Sequence, residues 1–340
     1  MIRKVAKKHL WALGLAALAA LPAGAQADGI PFAGVELGNE GVHAAGAGAR
    51  YVTLPSHEET IVAAVNVDGG GVLRFRSLPG LWGVPMVAFD GSTDGLSHDG
   101  RTLVLAQPPI GRPRKVSRFP ILGTEKLRLR DMVTLRGSFS FDALSPDGRT
   151  LYLIEHLSPK DVSIYRVRAF DVDRGRLLPK PIRDPKTGDT MHGYPLSRAT
   201  SADGRWAYTL YQAAHHSFVH ALDTVARRAA CVDLPPDAPP DEVASARLLL
   251  GEEGRELVVR TSAGHVLAVI DTRTHELRPP ERPQPARLRN VSPAGQPEQG
   301  MPWTLIGGGA SALATAGLVL GLALWRVRMR LATAGAVRGS

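Results

Sequence analysis

The sequence predicts an all-β chain, a β-propeller with about five legible blades, followed by one membrane-spanning helix. Three observations predict it: a turn-and-strand unit that recurs along the chain, no sustained 3.6-residue apolar period between residues 30 and 300, and a charge-free apolar run of 23 residues near the C-terminal end.

In the recurring unit a polar turn precedes a run of β-branched and aromatic residues. Ser97-His98-Asp99-Gly100-Arg101 stands before Thr102-Leu103-Val104-Leu105, and Ser145-Pro146-Asp147-Gly148-Arg149 before Thr150-Leu151-Tyr152-Leu153-Ile154. Ser201-Ala202-Asp203-Gly204-Arg205 precedes Trp206-Ala207-Tyr208-Thr209-Leu210, and Glu252-Glu253-Gly254-Arg255 precedes Glu256-Leu257-Val258-Val259. A weaker fifth copy is His57-Glu58-Glu59 before residues 60–65. Asp-Gly tolerates the positive φ of a hairpin turn, and the run after it reads as a strand. A second strand ending in an aspartate follows, as at Asp171 and Asp271, so each repeat of about 50 residues holds four short strands, which is one propeller blade. Five units are visible, and six or seven would also close a ring. Residues 32–37 are expected to lend a closing strand to the fifth blade.

Residues 143–152 (ALSPDGRTLY) and 265–272 (HVLAVIDT) resemble the two halves of the repeat in YVTN-type and TolB-like β-propellers. The resemblance covers most of residues 44–280. It implies a propeller fold and leaves function open, because that repeat serves surface-layer proteins, scaffolds and lactonases alike.

The two ends of the chain place it. A basic stretch (Arg3, Lys4, Lys7, Lys8), an apolar run of 12 residues and Ala25-Gln26-Ala27 have the layout of a secretory signal peptide over residues 1–27, too short in its apolar part to span a bilayer. Residues 28–278 form the exported body. Residues 279–302 hold seven prolines and read as a stalk. Residues 303–325 lie between Trp303 and Trp325 and precede Arg326, Arg328 and Arg330, which predicts a single span with a basic cytoplasmic tail at 326–340. Gly317 and Gly321 form a GxxxG pattern suited to weak pairing of two such helices.

The net charge of +9 comes almost wholly from these ends, because residues 1–27 and 303–340 together carry eight Lys/Arg and no Asp or Glu. The body is therefore near neutral, and no nucleic-acid partner is expected. No Walker loop, dinucleotide fingerprint, H-E-x-x-H, G-x-S-x-G or C-x-x-C motif is present, so no cofactor is expected.

His215, His216 and His220 are the densest set of potential metal ligands, at a hairpin, and a solvated turn accounts for them better than a metal. Cys231, the single cysteine, reads as a buried apolar residue or an exposed thiol. The acidic, proline-rich residues 235–242 read as a loop between blades.

Aligning the units yields the candidate site. Five residues before each turn acid, on the strand expected to line the central channel, stand Thr53, Asp94, Asp142, Arg198 and Leu248. Two carboxylates and a guanidinium there make a ligand-binding cluster or a salt-bridged plug, with His192 and Tyr194 near the same mouth. The expected function is a membrane-anchored, extracytoplasmic, non-catalytic protein-binding or scaffold module of the cell envelope. A lactonase-like or hydrolase-like enzyme with a site at the channel mouth, and a ligand sensor acting through a membrane partner, are the rivals.

Overall fold

The computed structural model describes residues 34–36, 40–44, 48–109, 113–214 and 216–278. All of them belong to the first of two compact units, Met1–Arg282, the second being Pro283–Ser340. The expected leader, stalk, membrane helix (with Gly317 and Gly321) and tail lie outside the described residues, and so does His215. Among the described residues no helix is long and apolar enough to cross a membrane.

Five antiparallel sheets follow one another along the described chain, each pairing its strands in sequence order. The first holds β1 (Ala49–Ser56), β2 (Glu59–Asn66) and β3 (Val72–Pro79); the second holds β4 (Thr102–Val104), β5 (Val116–Gly123) and β6 (Arg128–Arg136). Bridges Met86↔Thr93 and Leu96↔Leu103 extend the second sheet inward through the segment that carries Asp94. The third comprises β7 (Ser138–Leu144), β8 (Thr150–His156), β9 (Ile164–Asp171) and β10 (Arg176–Leu177), with β11 (Met191–His192) pairing on β9. The fourth is β12 (Tyr194–Thr200), β13 (Trp206–Gln212), β14 (Ser217–Asp223) and β15 (Arg228–Asp233). A five-residue helix, α1 (Pro240–Ala244), leads to the fifth: β16 (Arg247–Leu250), β17 (Glu256–Arg260), β18 (Val266–Asp271) and β19 (Glu276–Arg278). The acidic run 235–242, expected as a plain loop, thus ends in the first turn of α1, which starts on Pro240, where a missing amide costs nothing, and buries Val243.

Alternation along the strands gives each sheet two apolar faces, and neighbouring sheets pack them together. Tyr51, Val62 and Leu78 of the first meet Leu103 and Leu122 of the second. Phe119, Ile121 and Val133 meet Phe141, Leu151 and Leu153 of the third. Tyr152, Val167 and Ala169 meet Tyr211, Phe218 and Leu222 of the fourth. Tyr208, Leu210 and Val219 meet Leu248, Leu257 and Ile270 of the fifth. On its far side the first sheet has a separate cluster of three buried residues, Val52, Ala63 and Val65, while Leu54, Leu73 and Phe75 stay exposed.

The sheets radiate rather than lie in a flat stack, because the second also reaches the fourth. Phe89 and Asp90 donate backbone hydrogen bonds to Pro195 and Leu196 at 2.9 and 3.1 Å, and Asp99 N–H reaches Pro146 of the third sheet at 3.0 Å. The inner edges of three consecutive sheets therefore share one line, the propeller-type arrangement that the repeat predicts. Of residues 32–37, expected to close the fifth blade, the described residues 34–36 pair elsewhere: Val35 bridges Pro85, and Glu36 N–H donates to Val84. Val35 packs in the core between the second and third sheets, where its burial outweighs pairing at the distant edge.

The repeated turn has a common chemistry. Ser145 Oγ donates to Asp147 Oδ1 at 2.7 Å, Arg149 N–H donates to the same oxygen at 3.1 Å, and Thr150 N–H donates to Ser145 Oγ at 2.9 Å. Ser97 with Asp99 and Ser201 with Asp203 repeat the pattern. Glycine is required at Gly148, where φ is +70° and an added Cβ would fall 2.5 Å from Thr102 Oγ1 of the second sheet.

Candidate functional site

Two of the aligned inner-strand residues form a buried ion pair. Asp142 is the extra residue of a β-bulge between Phe141 and Ala143, and a bulge re-aims its side chain out of the strand's alternation. Arg198 Nη2 donates to Asp142 Oδ1 at 2.5 Å and to its backbone oxygen at 2.9 Å. The side chains are only 4% and 6% exposed, so the pair is shielded from water. Arg198 Nε and Nη1 are buried with no hydrogen-bond partner.

Asp94, from the inner segment of the second sheet, lies in the field of both partners. Burial raises its pKa to about 6, against the lowering by Arg198 and by the Gly95 N–H, which donates to Asp94 Oδ1 at 2.6 Å. Thr53 is buried and receives the Val84 N–H, and Leu248 packs in the core between the fourth and fifth sheets.

A polar row crosses the apolar core between the third and fourth sheets. The register pairs Arg198 with Thr209, Thr209 with His220 and His220 with Cys231. His220 is therefore not in a solvated turn: it is 3% exposed within β14, and burial lowers its pKa to about 4, so the ring is neutral at physiological pH. Cys231 is partly buried, its thiol pushed up to about 12 by burial, and its N–H donates to Asp184 Oδ2 at 2.8 Å. A polar residue at every eleventh position (198, 209, 220, 231) is the sequence signal of this row. It becomes readable only once the hairpin registers are known.

His192 and Tyr194 are exposed on either side of Gly193. They line a broad groove of about 1280 Å³ with Asp161, Gln212, His216 and Asp233, walled by the prolines before α1. His216 Nε2 lies 3.8 Å from Asp233 Oδ1. Behind the groove is a small cavity of about 20 Å³, lined by Asp142, Ser140, His156, Tyr165 and Tyr211, and Gly193 borders both spaces. Gly193 has φ +132°, and an added Cβ would fall 2.9 Å from the Gln212 carbonyl oxygen, so the wall between the two is bare backbone.

Within the cavity Ser140 Oγ lies 2.8 Å from His156 Nε2, and His156 Nδ1 lies 3.0 Å from the Val162 carbonyl oxygen. Nothing in the sequence singled out this pair. Among the described residues no group of three His, Cys, Asp or Glu side chains is placed to hold a metal ion.

No family model matches the sequence, and no curated protein matches it. Among solved structures the chain is similar to TolB from Acinetobacter baumannii, at 12% identity and TM-score 0.37, over 66% of this chain and 49% of that one. It is similar to a dihydro-heme d1 dehydrogenase, at 13% identity and TM-score 0.41, over 70% of this chain and 44% of that one. It is also similar to a putative 6-phosphogluconolactonase from Bacteroides uniformis, at 16% identity and TM-score 0.37, over 66% and 68%. The chain spans about half the length of the first two.

Proposed function

We propose that this chain is a membrane-anchored, outward-facing β-propeller that works as a binding or scaffold module for a protein or envelope partner. The observation that carries the reading is the groove of about 1280 Å³, whose exposed Tyr194, His192, His216, Asp161 and Asp233 offer an aromatic ring, imidazoles and carboxylates to a partner segment. The shared inner line, by contrast, is occupied by the Asp142–Arg198 pair, which favours a plug over an open channel. In the proposed topology residues 28–278 face outward on the stalk 279–302, residues 303–325 span the membrane and residues 326–340 remain in the cytoplasm.

The test places a photo-crosslinking amino acid at Tyr194, or at the exposed Glu252, in the full chain of producing cells that carry a C-terminal tag. A discrete adduct from position 194 and none from 252 is expected, with added protease removing the body and sparing the tag. No adduct from 194 overturns the binding surface, and loss of the tag in intact cells overturns the topology. One observation, the Ser140–His156 pair, favours a second reading as a hydrolase.

A further inference from the structure

The cavity behind Gly193 carries a specific chemistry, independent of whether the groove binds a protein. Ser140 sits on β7 and His156 at the end of β8, so both side chains are held by strands rather than by a loop. The carbonyl oxygen of Val162 can only accept, so His156 Nδ1 carries the proton of that bond and Nε2 presents a lone pair. Ser140 Oγ then donates its hydrogen to Nε2 across 2.8 Å. An oriented imidazole whose unprotonated nitrogen accepts a serine hydroxyl is the arrangement that activates an oxygen nucleophile, with the Val162 carbonyl as the orienting group. Burial holds the His156 pKa below the ordinary imidazole value, against the pull of its bond to Val162, so the ring is neutral and able to take a proton.

We propose that Ser140 and His156 form a nucleophile–base pair that hydrolyses short acyl esters, the acyl group seated in the cavity that both side chains line. The room in the cavity, about 20 Å³, is that of one or two water-sized groups, which fits an acetyl and excludes a long acyl chain. As Ser140 Oγ bonds to the acyl carbon, its proton passes to His156 Nε2. The ester C–O bond breaks, and the departing alcohol oxygen takes that proton. Water, deprotonated by His156, then attacks the acyl-serine, releasing the acid and returning Ser140 to its hydroxyl form. The Tyr165 hydroxyl is the cavity's candidate donor to the developing oxyanion.

The test treats the full chain with a small alkyl fluorophosphonate and maps the adduct by peptide mass, alongside turnover of p-nitrophenyl acetate and p-nitrophenyl octanoate. Labelling confined to Ser140, and acetate turnover that falls at least about a hundredfold in Ser140→Ala and in His156→Gln, are expected, with octanoate turned over far more slowly than acetate. The mapped adduct on the native chain needs no variant to fold. No label, a label on another residue, or acetate turnover unchanged in folded Ser140→Ala overturns the proposal. Octanoate turned over as fast as acetate overturns the assignment of the acyl group to the cavity. Failure of the Tyr194 crosslink leaves these readouts untouched, so the two readings fail separately.

Discussion

Arg198 Nη2 holds Asp142 twice, by its carboxylate and by its own backbone oxygen, and so ties the innermost strand of the fourth sheet to the bulge of the third. Removing one charge strands the other in a water-poor site. Arg198→Met is therefore expected to lower stability by about 3 to 5 kcal/mol, while adding Asp142→Leu to it is expected to recover most of the loss. Denaturant unfolding of the four proteins of the cycle checks this, and additive losses would show that the two side chains are not coupled.

Asp94 makes stability depend on pH. Its folded pKa of about 6 lies above the ordinary 3.8, so proton binding favours the folded state. The stability that this proton contributes is complete below about pH 4 and is lost as the pH rises through about 6. Asp94→Asn is expected to leave the melting temperature nearly unchanged at pH 3.5 and to raise it at pH 8. A variant that melts below the native chain at pH 8 would mean that the ionised carboxylate is favoured by Arg198 more than burial disfavours it.

Gly148 and Gly175 separate backbone strain from crowding. Both have positive φ, +70° and +60°, but a Cβ at 148 would strike Thr102 whereas one at 175 meets nothing within 4 Å. Gly175→Ala is expected to cost about 1 kcal/mol, and Gly148→Val to cost more than the 1 to 2 kcal/mol of left-handed backbone alone. Equal melting-temperature losses at the two sites would show that the contact between sheets carries no weight.

The serine hydroxyl in the repeated turn should be visible in amide exchange. Thr102, Thr150 and Trp206 each donate their N–H to a turn serine, whereas the fourth turn has Gly251 in the serine's place. Ser145→Ala is expected to speed exchange of the Thr150 amide and to cost about 1 kcal/mol. An unchanged Thr150 rate would mean that the amide finds another acceptor.

The blades were legible because Ser-x-Asp-Gly-Arg states its own hydrogen bonds: acceptor, donor and positive φ all lie within five residues. Asp142 and Arg198 were legible for a related reason, since equal offsets from equivalent turns put residues at equal height on neighbouring inner strands. His220 was not, because its sequence neighbour His216 faces the groove while the strand carries His220 into the core. Ser140 and His156 were hidden more deeply. The register pairs His156 with Ser138, so the contact is diagonal, and the orienting Val162 lies beyond the end of β8, outside any repeat.

The burial of the terminal sheets sets where the molecule unravels. A sheet inside the array must break two interfaces to detach, but the first breaks one well-filled interface and a small cluster of three residues. In an array bound mainly by nearest-neighbour terms, the first sheet and the fifth, whose buried residues cluster with the fourth sheet alone, have the lowest free energies of local opening. The second, third and fourth sheets are cross-linked through Phe89, Asp90 and Arg198, and they form the cooperative nucleus that outlasts both. Fluctuations that expose chain to a protease are thereby concentrated at residues 49–79 and 247–278, away from the cavity behind Gly193.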